Sequence, residues 1–262
     1  MSEGRSFVFG TNRIAYEDPV GPQGDRLPVV LVHGSSVHRA IWDPVIARLR
    51  DQFRPISLDH PGHGQSSLPA NNSADALTDV LAGLYAALGI VRAALIGFSL
   101  GGAVAQLFHA RHPDKIAALG LISTAPHFGL PDELVARWRA DPAGYAEDEA
   151  SLSLAPMASA DARARVTALR RGVTAEGQAA DLTACASWNN SSALDGIGCP
   201  LLVMTASHDI PGLKLHAEQW AREVAQASLV EIADAGHFML IEQPKASATA
   251  ILNWLSSLSL RP

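Results

Sequence analysis

The sequence predicts an α/β fold: a mostly parallel central β-sheet flanked by helices, with a helical insertion in its second half. Two observations carry this. Short apolar runs alternate with helical patterns along most of the 262 residues, and strands alternating with helices imply a mostly parallel sheet covered on both faces. That rhythm stops after Thr124-Ala125-Pro126 and resumes near Pro200. The composition permits such a fold. Hydrophobic residues make up 48% and charged residues 18%, with 21 glycines and 16 prolines, an ordinary globular mix. A chain of this size buries roughly three quarters of its unfolded surface, so neither a disulfide nor a metal is needed to hold it together.

Residues 7–9 and 13–17 flank Gly10-Thr11-Asn12 as a hairpin-like pair of short strands. Residues 27–32, LPVVLV, form a continuous apolar run ending at His33-Gly34, which suits a strand buried on both faces. Asp43-Pro44 opens a helix through Leu49, an N-cap type residue ahead of Pro at the first helical position. Residues 53–58 are the next strand. Ser73 caps a helix whose apolar positions, Leu77, Val80, Leu81, Leu84, Tyr85 and Leu88, keep a 3.6-residue period. Strand 93–98, helix 100–111 and strand 116–123 follow. From Pro126 to Ser192, pieces of helix are punctuated by glycines and prolines, and no strand pattern is present. Strand 200–206, a helix near 214–226, strand 229–232 and a helix after Pro244 close the chain. The expected division is a core of residues 1–125 and 193–262 interrupted by a helical cap or lid at 126–192.

The net charge is −6 and the isoelectric point about 5.9. Lys115, Lys214 and Lys245 are the only lysines, and the arginines are scattered. Nothing here can neutralise a row of phosphates, so nucleic acid is not an expected partner. Cys185 and Cys199 are too few for a disulfide framework or a zinc cage and are expected as reduced thiols. The first residues lack the apolar core of a signal peptide before Glu17 and Asp18. The apolar stretch 93–108 is shorter than the roughly 20 residues of a span and contains three glycines, Ser99 and Gln106. The expectation is a cytoplasmic protein without a membrane partner.

The most informative stretch is residues 93–102, AALIGFSLGG. A strand, then Gly-x-Ser-x-Gly, then a helix is the context of a nucleophile elbow. Such a turn holds the serine in a strained conformation, with room supplied by Gly97 and Gly101. It lifts the Ser99 hydroxyl above the carboxyl edge of the sheet and points the N-terminus of the following helix at developing negative charge. A serine hydroxyl needs a base. Of the ten histidines, His237 follows the last strand, at the edge where open α/β sheets place their sites. The base needs a carboxylate to orient it. Asp209 follows strand 200–206, Asp195 precedes that strand at the wrong end, and Asp234 is the rival. Two backbone N–H groups should stabilise an oxyanion: that of Leu100, after the serine, and that of Ser35, in the HGSS loop after LPVVLV.

HGSS at 33–36, DHPGHGQS at 59–66, GFSLGG at 97–102, Asp209 and AGHF at 235–238 together resemble the α/β-hydrolase superfamily, along essentially the whole chain and in its order Ser, Asp, His. The resemblance implies Ser99 as nucleophile, Asp209 as acid, His237 as base, and Ser35 and Leu100 as oxyanion donors. It implies structural roles for Asp59 and His63. With its helical cap and Trp42 soon after HGSS, the chain is similar to carboxylesterases, enol-lactonases and meta-cleavage C–C hydrolases. The leading expectation is a serine hydrolase of a small-molecule carboxylic ester or lactone acting through an acyl-enzyme. C–C bond hydrolysis, or a slow receptor or biosynthetic helper on the same fold, are the alternatives. No cofactor or metal is expected. Candidates for the substrate pocket are Ser36, Phe98, Trp138, Trp188 and Phe238; the insertion's six arginines against nine acids show no bias toward anions.

Overall fold

The computed structural model describes residues 5–22, 25–141, 153–190 and 196–260. Its strands are β1 (Arg5–Phe9), β2 (Asn12–Glu17), β3 (Pro28–Val32), β4 (Arg54–Leu58), β5 (Ala93–Phe98), β6 (Ile116–Ile122), β7 (Leu201–Ala206) and β8 (Ala227–Ile232). They form one eight-stranded sheet in the order β1-β2-β4-β3-β5-β6-β7-β8. The β1–β2 hairpin joins β4 antiparallel, and every pairing from β4 to β8 is parallel. The mostly parallel α/β fold is present as expected.

Alternation of side chains along each strand explains the continuous apolar runs. Val30, Val32, Leu95, Leu119, Leu121 and Val203 face a core built with α2 (Ala74–Ala87), α3 (Leu100–Arg111) and α7 (Pro211–Glu223). Val29, Leu31, Ile96, Ile122, Leu202 and Met204 face the opposite core, built with α1 (Asp43–Leu49), α8 (Met239–Glu242) and α9 (Pro244–Ser257). Both faces of the strand are covered, so neither phase of the alternation carries polar residues. Each of these buried side chains contributes about 1.5–3 kcal/mol of transfer free energy.

Several boundaries differ from the sequence reading, most clearly around β8. The helix expected from Lys214 starts at Pro211, because proline at a first helical turn forfeits no hydrogen bond. It stops at Glu223, and the chain enters β8 at Ala227, two residues before the expected strand. β8 is an edge strand with half of its side chains solvated, so its start lacks the apolar signal. The insertion contains α4 (Asp132–Ala140), α5 (Ala160–Arg171) and α6 (Ala175–Ser187), and among its described residues none joins the sheet. The boundary expected at 192/193 lies outside the described residues. Among the described residues no helix is long and apolar enough to cross a membrane.

Candidate active site

Five loops leave the carboxyl edge of the sheet and meet. The turn from β5 to α3 holds Ser99 at φ 53°, ψ −118°, a left-handed conformation that costs a non-glycine residue about 1–3 kcal/mol unless its surroundings impose it. Here they do. The Ser99 N–H donates to the Ile122 carbonyl at 2.9 Å, and a Cβ on Gly97 would stand 2.1 Å from the Gly101 carbonyl oxygen. The loop after β3 closes on the same turn: a Cβ on Gly34 would lie 2.9 Å from that of Ser99.

The Ser99 hydroxyl is 3.1 Å from His237 Nε2, and His237 Nδ1 is 3.2 Å from Asp209 Oδ1. All three residues are buried. Asp209 also accepts from Ser123 Oγ at 2.6 Å, from Thr205 Oγ1 at 3.2 Å and from the Ile210 N–H at 2.8 Å. Burial opposes its charge, but the bonds and charge of His237, followed by the Ser123 and Ile210 donors, hold its carboxyl below the usual carboxylate range. Asp234 is exposed at a turn with φ 54°, and Asp195 lies outside the described residues. Ser35 stands in the loop beside Ser99, and Leu100 is the first residue of α3, where N–H groups have no acceptor within the helix.

Above Ser99 a cavity of about 720 Å³ opens. Ser35, Ser99, His208, Asp209, Ile210, Pro211, Leu213 and His237 contribute from the core, and Phe128, Leu130, Leu134, Trp138, Ser153, Leu154, Pro156 and Cys185 from the insertion. Apart from Asp209, which His237 engages, the described lining residues include no aspartate, glutamate, lysine or arginine.

Comparison with known proteins identifies the family. A model of the alpha/beta hydrolase family matches residues 29–250. This chain belongs to that family. The pimeloyl-(acyl-carrier protein) methyl ester esterase of Chromobacterium violaceum is 32% identical over 240 residues, covering 85% of this chain and 92% of that protein. Among solved structures, a thermophilic esterase from Thermogutta terrifontis superposes with a TM-score of 0.84 at 29% identity, covering 98% of this chain and 99% of the other. The enol-lactonase from Burkholderia xenovorans LB400 gives a TM-score of 0.85 at 25% identity, covering 96% and 100%.

The structure redistributes the enzyme's expected pocket residues. Trp138 lines the cavity. Ser36, Phe98, Trp188 and Phe238 do not, and each has a physical reason. Ser36 is buried and donates its N–H to Asp181. Phe98 and Phe238 pack beneath and beside the His237 ring, with centroids 5.0 and 5.5 Å away. Trp188 turns its indole N–H to the Ala125 carbonyl at 2.9 Å. The sequence reading also passed over Ser123 and Thr205, the two hydroxyls on Asp209. Their signal was a polar residue inside, or just past the end of, an otherwise apolar strand.

Behind the loop after β3, the rings of His33, His60 and His63 cluster, His33 lying 4.2 and 5.2 Å from the other two. His33 Nε2 accepts the His60 N–H at 3.0 Å while Nδ1 faces the Gly34 carbonyl at 2.8 Å, the pattern of a neutral ring. Burial first, then the neighbouring histidines, hold His33 well below its usual range, and burial followed by His63 lowers His60 to about 4. His63 moves the other way. Burial opposes its charge, but Asp181 outweighs it and raises the pKa.

Linkage turns these shifts into a stability profile. His33 and His60 stabilise fully above the unfolded value of 6.5, and their contributions are lost as pH falls through their folded values, about 4 for His60. His63 stabilises fully below 6.5, and that contribution is lost as pH rises through its folded value. The urea midpoint should therefore peak near the ordinary histidine range and fall on both sides. His60→Leu should flatten the acid limb between pH 7 and 5, and an unchanged limb would place the proton uptake elsewhere.

Proposed function

We propose that this enzyme hydrolyses a neutral, largely apolar carboxylic ester or lactone through an acyl-enzyme on Ser99. The observation that carries the reading is the line of contacts from Ser99 through His237 to Asp209 at the floor of a cavity whose described lining holds neither lysine nor arginine. Segments 142–152 and 191–195 contain neither residue. In this reading Ser99 attacks the acyl carbon as His237 Nε2 takes its proton. The Ser35 and Leu100 N–H groups hold the oxyanion, His237 returns the proton to the departing alcohol, and water repeats the cycle. Asp209 keeps the imidazole in the Nδ1–H tautomer and stabilises its charged form.

Residues 126–192 act as the cap of this site, and residues 1–125 and 193–262 as its core. Cap side chains supply apolar contacts remote from the reacting carbonyl, energy that can select among acyl groups. The partner is then a small molecule, and its acyl chain is uncharged, because a free carboxylate would enter this cavity without a counter-ion. Cys185 and Cys199 are buried and not disulfide-bonded, which accords with the cytoplasm as the location.

The test is a panel of p-nitrophenyl esters of rising chain length, simple lactones, and chain-matched ester pairs with and without a free terminal carboxylate. The neutral member of each pair should have the higher kcat/KM, by on the order of tenfold or more, about 1.4 kcal/mol for each factor of ten. Trp138→Ala should reorder the chain-length preference by about 1–3 kcal/mol per filled contact. Trp188→Ala should keep the parent's order, since Trp188 faces away from the cavity. Preference for the anionic esters, or an unaltered order in Trp138→Ala, would remove the assigned substrate class.

A further inference from the structure

Asp181 is a fully buried carboxylate to which the mechanism above gives no part. It stands on α6, in the insertion, yet its partners belong to the core. Oδ2 accepts the Ser36 N–H at 2.7 Å and lies 2.8 Å from His63 Nε2. The other His63 nitrogen faces the Pro61 carbonyl at 3.0 Å. Both partners are oxygens, which suits a ring protonated on both nitrogens, and Asp181 favours that charged form against the opposing effect of burial. The fit of α6 on this loop is close. Thr174 Oγ1 donates to the Gly62 carbonyl at 2.9 Å, and the Gly64 N–H to the Gly172 carbonyl at 2.8 Å. A Cβ on Gly177, one turn before Asp181, would stand 2.8 Å from the Gly62 oxygen.

Ser36 is held at φ 56°, and the peptide whose N–H Asp181 grips directly follows the residue that offers the Ser35 N–H to the oxyanion. We propose that Asp181 is a positioning residue for the oxyanion loop: from the cap it locks the Ser36 peptide and thereby aims the Ser35 N–H at the reacting oxygen. His63 completes the device. A lone carboxylate one peptide from a developing oxyanion would repel it, whereas a carboxylate paired with an imidazolium is a strong acceptor without net charge. The inference rests on the acyl-enzyme reading. It adds that the cap takes part in the chemical step as well as in substrate choice.

Two variants test it, assayed with a matched short ester, with a trifluoromethyl ketone that adds to Ser99 and forms the oxyanion, and with the product acid. His63→Leu combined with Asp181→Ala removes the acceptor and leaves no unpaired buried charge. Its kcat should fall about 10–100-fold, less than the loss of an oxyanion donor itself. KM and product affinity should stay within about threefold, and ketone affinity should fall in step with kcat/KM. Asp181→Asn keeps an oxygen acceptor and should recover most of that loss, showing the same split at about 2–5-fold. If the double variant does not fold, the split in Asp181→Asn decides the matter. Ketone affinity left at the wild-type level, or lost only in proportion to product affinity, would overturn the positioning role. A wild-type protein that neither cleaves esters nor captures the ketone would instead overturn the acyl-enzyme reading.

Discussion

Ser99→Ala is expected to abolish turnover and covalent labelling together. A fluorophosphonate should add once to the wild-type protein, at Ser99, because this hydroxyl lies 3.1 Å from an imidazole nitrogen and sits at the N-terminus of α3. Alanine leaves the turn's backbone intact but removes the attacking oxygen, so kcat should drop by on the order of 10⁵–10⁶, the scale seen when the nucleophile of such a unit is deleted. Mass spectrometry of the labelled peptide decides it. Label on another serine, or substantial activity in Ser99→Ala, would remove the mechanism.

Asp209→Asn should be the next most damaging change, costing about 10³–10⁴ in kcat. An amide placed between the Ser123 hydroxyl, the Ile210 N–H and His237 can no longer accept from all of them as an anion does. It weakens the preference for the Nδ1–H tautomer, and it cannot balance the imidazolium that forms when Ser99 loses its proton. KM should move far less than kcat, since the group meets no ground-state substrate charge. Asp234→Asn is the control. That carboxylate is exposed at the turn before His237, and its loss should leave kcat within about twofold, as surface changes away from special features do. A crippling effect at Asp234 with a mild one at Asp209 would reverse the assignment of the acid.

The insertion reaches both halves of this apparatus. The Ser153 backbone carbonyl accepts the His237 backbone N–H at 2.7 Å, and Glu242 joins the two segments by accepting from the Ala155 and Gly236 backbone N–H groups at 2.8 and 2.9 Å. Asp181 holds the loop after β3. On the proposed reading the insertion therefore positions reacting groups as well as selecting the substrate. Substitutions in the insertion that break these polar ties should change kcat, while those confined to the apolar lining, such as Trp138→Ala, should change preference.

The amino-acid sequence by itself determined the fold class, the order of strands and helices, and the chain positions from which Ser99, Asp209 and His237 come. These are local properties. Apolar runs of strand length, a glycine-spaced serine between strand and helix, and polar residues just past strand ends are all written within a few neighbouring residues. What only the tertiary structure decided are contacts between distant segments. Asp181 meets Ser36 across 145 residues and His63 across 118, and no periodicity in a helix of the insertion says which loop will lie beneath it. The pocket wall was hidden for the same reason. Trp138 and Trp188 are equivalent as letters, and the packing of α4 on α6 and of α6 on α3 sets one in the cavity wall and the other against the Ala125 carbonyl.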